Sequence, residues 1–168
     1  TGPAAIYGNA VKNAAELAVK EINAKGGIQL EIRYEDDTHD AEKAVTAYNT
    51  LKDWGMQIFM GSVTSKPCEA TAAEALNDNY FLLTPSASST AVLELDKAAG
   101  TYKGNAFQMC FMDPNQGTAS AQYIADNKLG TKIAVIYKSD DVYSTGILET
   151  FKAKAAEMNL EIVSETAF

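Results

Sequence analysis

Histidine and tryptophan occur once each in this chain, cysteine twice and proline four times, and each scarcity narrows the chemistry available. With only His39 to join Cys68 and Cys110, and no CxxC spacing, the residues argue against a structural zinc site. A disulfide between the two cysteines and a pair of thiols buried as small apolar residues both stay open. Basic residues are outnumbered, 14 against 22 acidic, and the formal net charge of −8 repels phosphate backbones, so no nucleic-acid partner is expected. No run approaches the roughly 18 apolar residues that cross a bilayer. No basic, apolar and small-residue succession opens the chain as a signal peptide would, although a signal is absent from any mature chain. The signatures GxGxxG, GxxxxGK[ST] and GxSxG are missing, so dinucleotide, phosphate-loop and hydrolase chemistry lack their anchors. Glu35-Asp36-Asp37 and Ser139-Asp140-Asp141 lack the ligand count and spacing of a calcium loop and read as turns and caps. His39, between Thr38 and Asp40, reads as a solvated loop histidine. No catalytic residue, metal or cofactor is therefore expected.

What is present is a regular alternation. Over 168 residues, 46% of them apolar, there is enough material for a packed core. Val11, Ala14, Ala15, Ala18 and Ile22 recur at helical spacing, with Asn9 as cap and Gly26-Gly27 as stop. Leu30, Ile32 and Tyr34 alternate with Glu31, Arg33 and Glu35, the pattern of an edge strand with one wet face. Asp40 caps a second helix, with Ala41, Ala44, Val45, Tyr48 and Leu51 inward and Gly55 at its end. Ile58-Phe59-Met60 reads as a buried strand closing at Gly61. A helix over 66–76, a strand over 80–83, a strand over 107–112, a helix after Gly117, an apolar strand over 132–137, a helix over 147–158 and a strand over 160–163 continue the series. Residues 86–104 read as an irregular surface excursion with a short helical turn near 91–95. Strands this apolar, alternating with helices, predict a three-layer α/β/α arrangement around a mainly parallel, doubly wound, flavodoxin-like sheet.

In such a sheet, ligands bind beyond the carboxyl ends of the strands. Two hydroxyl-rich turns fall there: Gly61-Ser62-Val63-Thr64-Ser65-Lys66-Pro67 and Thr84-Pro85-Ser86-Ala87-Ser88-Ser89-Thr90. A lone serine at such a place is usually a helix cap. Two neighbouring strands ending this way point instead to a site where hydroxyls and helix amides hold a carboxylate while carbonyls accept from an ammonium group.

The segments also resemble, in order, the branched-chain amino-acid-binding proteins of bacterial ABC transporters, with the type I periplasmic-binding-protein fold. The resemblance rests on Thr1 to Gly8, Glu21 to Ile28, Leu30 to Asp37, Gly61 to Ser65, Thr84 to Ser88, Asp113-Pro114-Asn115-Gln116-Gly117 and Ser139 to Gly146. It implies a first lobe over 1–112, a hinge crossing with the start of a second lobe over 113–168, and an amino acid, branched-chain or otherwise hydrophobic, held in the cleft between lobes. By position, Tyr7 would line the mouth, Ser65 and Ser88 would meet the carboxylate, Ser86 and Ala87 would offer backbone, and Tyr143 would close from the second lobe. It further implies a membrane permease as partner and an extracytoplasmic location, in the periplasm or on the surface through a lipid anchor. The same architecture serves ligand-sensing domains of signalling or regulatory proteins, and an α/β enzyme is the reading from a different class.

Three departures qualify the resemblance. A short insertion usual after the Gly-Gly turn is missing before Leu30, and the cysteines that some members carry near His39 and Thr64 are absent. The family's first, central strand precedes Thr1, so Ile32 and Ile58 would lack a common neighbour, with another chain or residues outside this sequence completing the sheet.

Overall fold

The computed structural model describes residues 2–168, which divide into two compact units. One runs to Ala87 and takes in Lys103–Met109; the other comprises Ser88–Tyr102 and Cys110–Phe168.

The first unit holds α1 (Ala5–Ala24), α2 (Ala41–Trp54), α3 (Ser65–Asn77) and β1 (Leu82–Thr84). Asn9 does not cap α1, which starts four residues earlier: the Gly2-Pro3-Ala4 turn begins it through an Ala5 N–H bond to the Gly2 carbonyl, and Ala4 makes no side-chain cap. Only Ala15 of α1 is buried. The boundaries of α2 follow the sequence closely. The Asp40 carboxylate accepts from the Lys43 N–H at 2.9 Å, and Gly55, at φ 98°, takes the left-handed conformation that closes the helix. Ala44 and Tyr48 are its buried face. Tyr48 meets Phe59 and Tyr80 edge-on, at ring separations of 5.1 and 6.4 Å, and its hydroxyl donates to Asp78, which also pairs with Lys52 at 2.6 Å.

The strand β1 pairs in parallel with β4 (Ala106–Gln108), and Phe59 bridges to Leu82 on the other side. The buried strand expected at Ile58–Met60 is reduced to that bridge. Ile58 is 64% exposed, and among the described residues the chain here pairs only along the edge facing β1. The expected strand over 107–112 likewise shrinks to β4: β1 ends at Thr84-Pro85, and beyond Gln108 the Met109 N–H makes a last bond to the Thr84 carbonyl. Residues 30–37, expected to hold an edge strand, join no ladder among the described residues; Asn23 clamps Leu30 instead, exchanging two bonds of 2.8 Å with its N–H and carbonyl. Between this stretch and residues 59–64 lies a cavity of about 370 Å³. His39 departs from the solvated histidine expected: it is half-buried, with φ 63°, and its Nδ1 lies 2.8 Å from the Thr64 hydroxyl.

In the second unit a 3-10 turn, Thr90–Val92, begins at Ser89, whose hydroxyl accepts from the Ala91 N–H. A small antiparallel hairpin follows, β2 (Glu94–Asp96) with β3 (Thr101–Tyr102). The region read as a surface excursion is therefore ordered, and its first part is inside: Ala87, Ser88, Ser89 and Val92 are all buried. Then come α4 (Asp113–Asp126), β5 (Lys132–Tyr137), α5 (Val142–Glu157) and β6 (Glu161–Ala167), with β5 and β6 parallel. Ala121, Phe151, Ala155 and Leu160 form the core, and Ile133, Val135 and Ile162 pack on it from the strands. The face of β5 opposite the core stays open, with Ile136 73% exposed. Cys68 and Cys110 are thiols, so the disulfide option falls away.

Candidate functional site

In the first unit one hydroxyl-rich turn follows the Phe59 bridge and the other begins at the end of β1, and their own side chains stitch them together. Gly61 lets the backbone pass the Phe59 ring, which any Cβ there would strike. Thr84, fully buried, donates its hydroxyl to the Ser62 carbonyl at 3.0 Å and accepts from the Ala87 N–H at the same distance. Ser86 donates to the Val63 carbonyl at 2.7 Å. Ser65 and Ser86 thus stand at one edge of the unit, on turns fixed relative to one another. The Ser86 hydroxyl proton is committed to Val63, which leaves its backbone and the lone pairs of its oxygen to offer. The Ala87 carbonyl accepts from the Gln108 amide at 2.6 Å.

Ser65 is the first residue of α3 and is buried. The preceding Thr64 makes no side-chain cap, because its hydroxyl faces His39 instead. The start of α3 carries the partial positive charge of a helix N-terminus at the same turn as Ser65. The sequence placed Thr64 in this turn but gave no sign that His39 would meet it. The positive φ forced on the Thr38-His39 pair by the Asp36 and Asp37 turns is what aims the imidazole at Thr64.

The remaining expected residues divide. Tyr7 lies on α1, 64% exposed. Ser88 and Tyr143 belong to the second unit: Ser88 is buried and its carbonyl accepts from the Asp113 N–H at 2.9 Å, while Tyr143 stands in the first turn of α5, 40% exposed. Asp113 is itself 1% exposed. Burial pushes its carboxyl above the ordinary carboxylate value, as does Asp141 nearby, whereas the neighbouring Ser88 hydroxyl and the Gln116 amide draw it down. Asp113 and Gln116 were not singled out as site residues by sequence. The one available signal was the Asp-Pro pair, which places an acid and a proline in the first turn of a helix. Among the described residues no group of three or more His, Cys, Asp or Glu could hold a metal ion.

The periplasmic binding protein family matches residues 1–168 in full. The chain belongs to that family. The Leu/Ile/Val-binding protein BraC3 of Rhizobium johnstonii is 31% identical over 91% of this chain and 41% of its own length. Among solved structures of periplasmic binding proteins, the branched-chain amino acid transporter substrate binding protein LivJ of Streptococcus pneumoniae, in complex with isoleucine, is 27% identical. It aligns with a TM-score of 0.85 over all of this chain and 47% of its own. The leucine binding protein LivK of Thermotoga maritima, 22% identical with a TM-score of 0.88 over all of this chain and 46% of its own, shares the fold. The chain thus spans about two fifths of the length of its curated relatives. A mixed helix and parallel-strand architecture, as expected from the alternation, is what the lobes of these periplasmic binding proteins have. The relatives are binding proteins rather than enzymes. Among the described residues, no helix is long and apolar enough to cross a membrane.

Proposed function

We propose that this chain carries amino-acid-holding residues of an extracytoplasmic substrate-binding protein that serves the membrane permease of an ABC transporter. One observation carries the reading: the hydroxyl-rich turn that opens α3 on the buried Ser65 is locked to a second such turn by Thr84 and Ser86. Helix amides and a hydroxyl at that edge suit the α-carboxylate of an amino acid, and the Ala87 carbonyl suits its ammonium group. In this reading Ser65, Ser86, Ala87, Ser88 and Tyr143 contact the ligand, with Tyr7 near the entrance. Residues 1–112 then form the first lobe, and 113–168 the hinge crossing and the beginning of the second. A hydrophobic side chain on the ligand is supported by the names of the relatives, which are for leucine, isoleucine and valine.

A thermal-shift screen of the chain against leucine, isoleucine, valine, benzoate and glucose tests this. A binder at about 100 times its Kd gains about 2.7 kcal/mol, so one of the three amino acids should raise Tm, and Ser65→Ala should remove most of the gain. A rise with benzoate or glucose and none with any amino acid would overturn the reading.

A further inference from the structure

Two glycines bring the start of α4 against the start of α5. A Cβ on Gly117 would meet the Ile147 carbonyl and the Thr150 hydroxyl, with the Phe151 N–H at 2.6 Å, and one on Gly146 would lie 3.4 Å from Asp113 Oδ2. At that crossing, side chains make a chain of contacts that no single motif announces. The Tyr143 hydroxyl donates to Gln116 Oε1 at 3.3 Å, and the Gln116 amide donates to Asp113 Oδ1 at 3.4 Å. The Asp113 N–H, at the head of α4, donates to the Ser88 carbonyl at 2.9 Å. Asp113 is buried, and its carboxyl, whose Oδ2 has no hydrogen-bond partner, is held by the Ser88 hydroxyl and the Gln116 amide.

Gln116 is the only member of this set that touches both ends. Its carbonyl oxygen fixes a half-exposed phenol, which without a partner would turn about its χ1 and χ2 bonds, and its amide is held by a buried carboxyl that cannot swing away. We propose that Gln116 is a positioning residue: through Asp113 it braces Tyr143 to the Ser88 backbone, so that the two ligand-contacting residues of the second unit are set as one. The proposal rests on the reading that Ser88 and Tyr143 contact an amino acid, and it gives Gln116 a role in preorganising that contact.

Fluorine NMR of the chain labelled with 3-fluorotyrosine reads the brace without any ligand. The Tyr143 line is assigned with Tyr143→Phe, and the well-exposed Tyr102 and Tyr123 supply the reference for a freely turning ring. In Gln116→Met the Tyr143 line moves to that reference position. In Asp113→Ala it moves as well, whereas Asp113→Asn, which keeps an oxygen for the Gln116 amide, leaves it in place. A Tyr143 line unmoved by Gln116→Met overturns the proposal, including where Asp113→Ala does not fold. Calorimetric titration with L-leucine gives the second arm. Gln116→Met and Tyr143→Phe each weaken binding about tenfold, and the double variant is no weaker than the worse single one, as coupled partners require. Additive losses, or unchanged affinity in Gln116→Met, overturn it. If the unaltered chain takes up no leucine while the fluorine line responds, the proposed function fails and the brace stands.

Discussion

The two units are made of the same ingredients and use them differently. In the first, α1 buries only Ala15, and the stretch 30–37 beside the cavity joins no ladder among the described residues. In the second, α4 and α5 close on each other at Gly117, and β5 finds β6 along its whole length, from Lys132 opposite Glu161 to Tyr137 opposite Ala167. Amphipathic pattern supplies the potential for helix and strand in both. What separates them is whether a partner surface arrives: a strand is half of an interaction, and its backbone groups stabilise nothing until another strand takes them.

That contrast can be broken in order of effect. Hydrogen exchange followed by mass spectrometry should show amides of residues 31–35 exchanging about a thousandfold faster than those of Ile133–Ile136, a difference of about 4 kcal/mol in local opening. Equal protection would mean that the first stretch is laddered after all. Gly117→Ala should cost the second unit about 3 kcal/mol in urea unfolding, since the added methyl meets backbone of α5 that cannot retreat. Gly8→Ala on α1 has nothing within 4 Å to strike, and should stabilise by about 0.5–1 kcal/mol through helix propensity alone. A loss at Gly8 equal to that at Gly117 would show α1 to be packed as tightly as α4.

The smallest effect is one of sign. Hydrogen bonds from Lys52 and then Tyr48 hold the Asp78 carboxyl below its ordinary value of 3.8, so its contribution is present above that value and fades as pH falls through the lower folded one. Asp113 behaves oppositely: burial raises it, the folded state binds the proton more tightly, and stability rises as pH falls from neutral through the raised value towards 3.8. Urea midpoints between pH 7 and 4 should therefore improve on acidification by a component that Asp113→Asn abolishes, with the variant more stable at pH 7. A pH profile unaltered by that substitution would contradict the burial argument.

Much of the helical frame was legible because its signals are local. Asp40 and Gly55 bound α2 with a carboxylate and a left-handed residue that act within one turn, and Tyr48 lies inside as its spacing requires. Ile58–Met60 was misjudged because an apolar run carries no information about which edges will be paired. Of the candidate site, the two turns could be read from serine and threonine after apolar strands. Their stitching could not, since Thr84 to Ser62 and Ser86 to Val63 span more than twenty positions. Cys68 and Cys110 illustrate the same limit, as spacing left open a bond that the fold does not make.

By itself, the sequence determined the helices and their order, the acidic charge and the two hydroxyl-rich turns, because propensity, capping and hydropathy act over a few residues. Only the tertiary structure decided that Thr64 turns to His39 rather than capping α3, that residues 30–37 stay outside any ladder, and that Gln116 joins Tyr143 to Asp113. Each of those depends on a hydrogen-bond partner brought from elsewhere in the chain, and such a partner has no signature in the residues beside it.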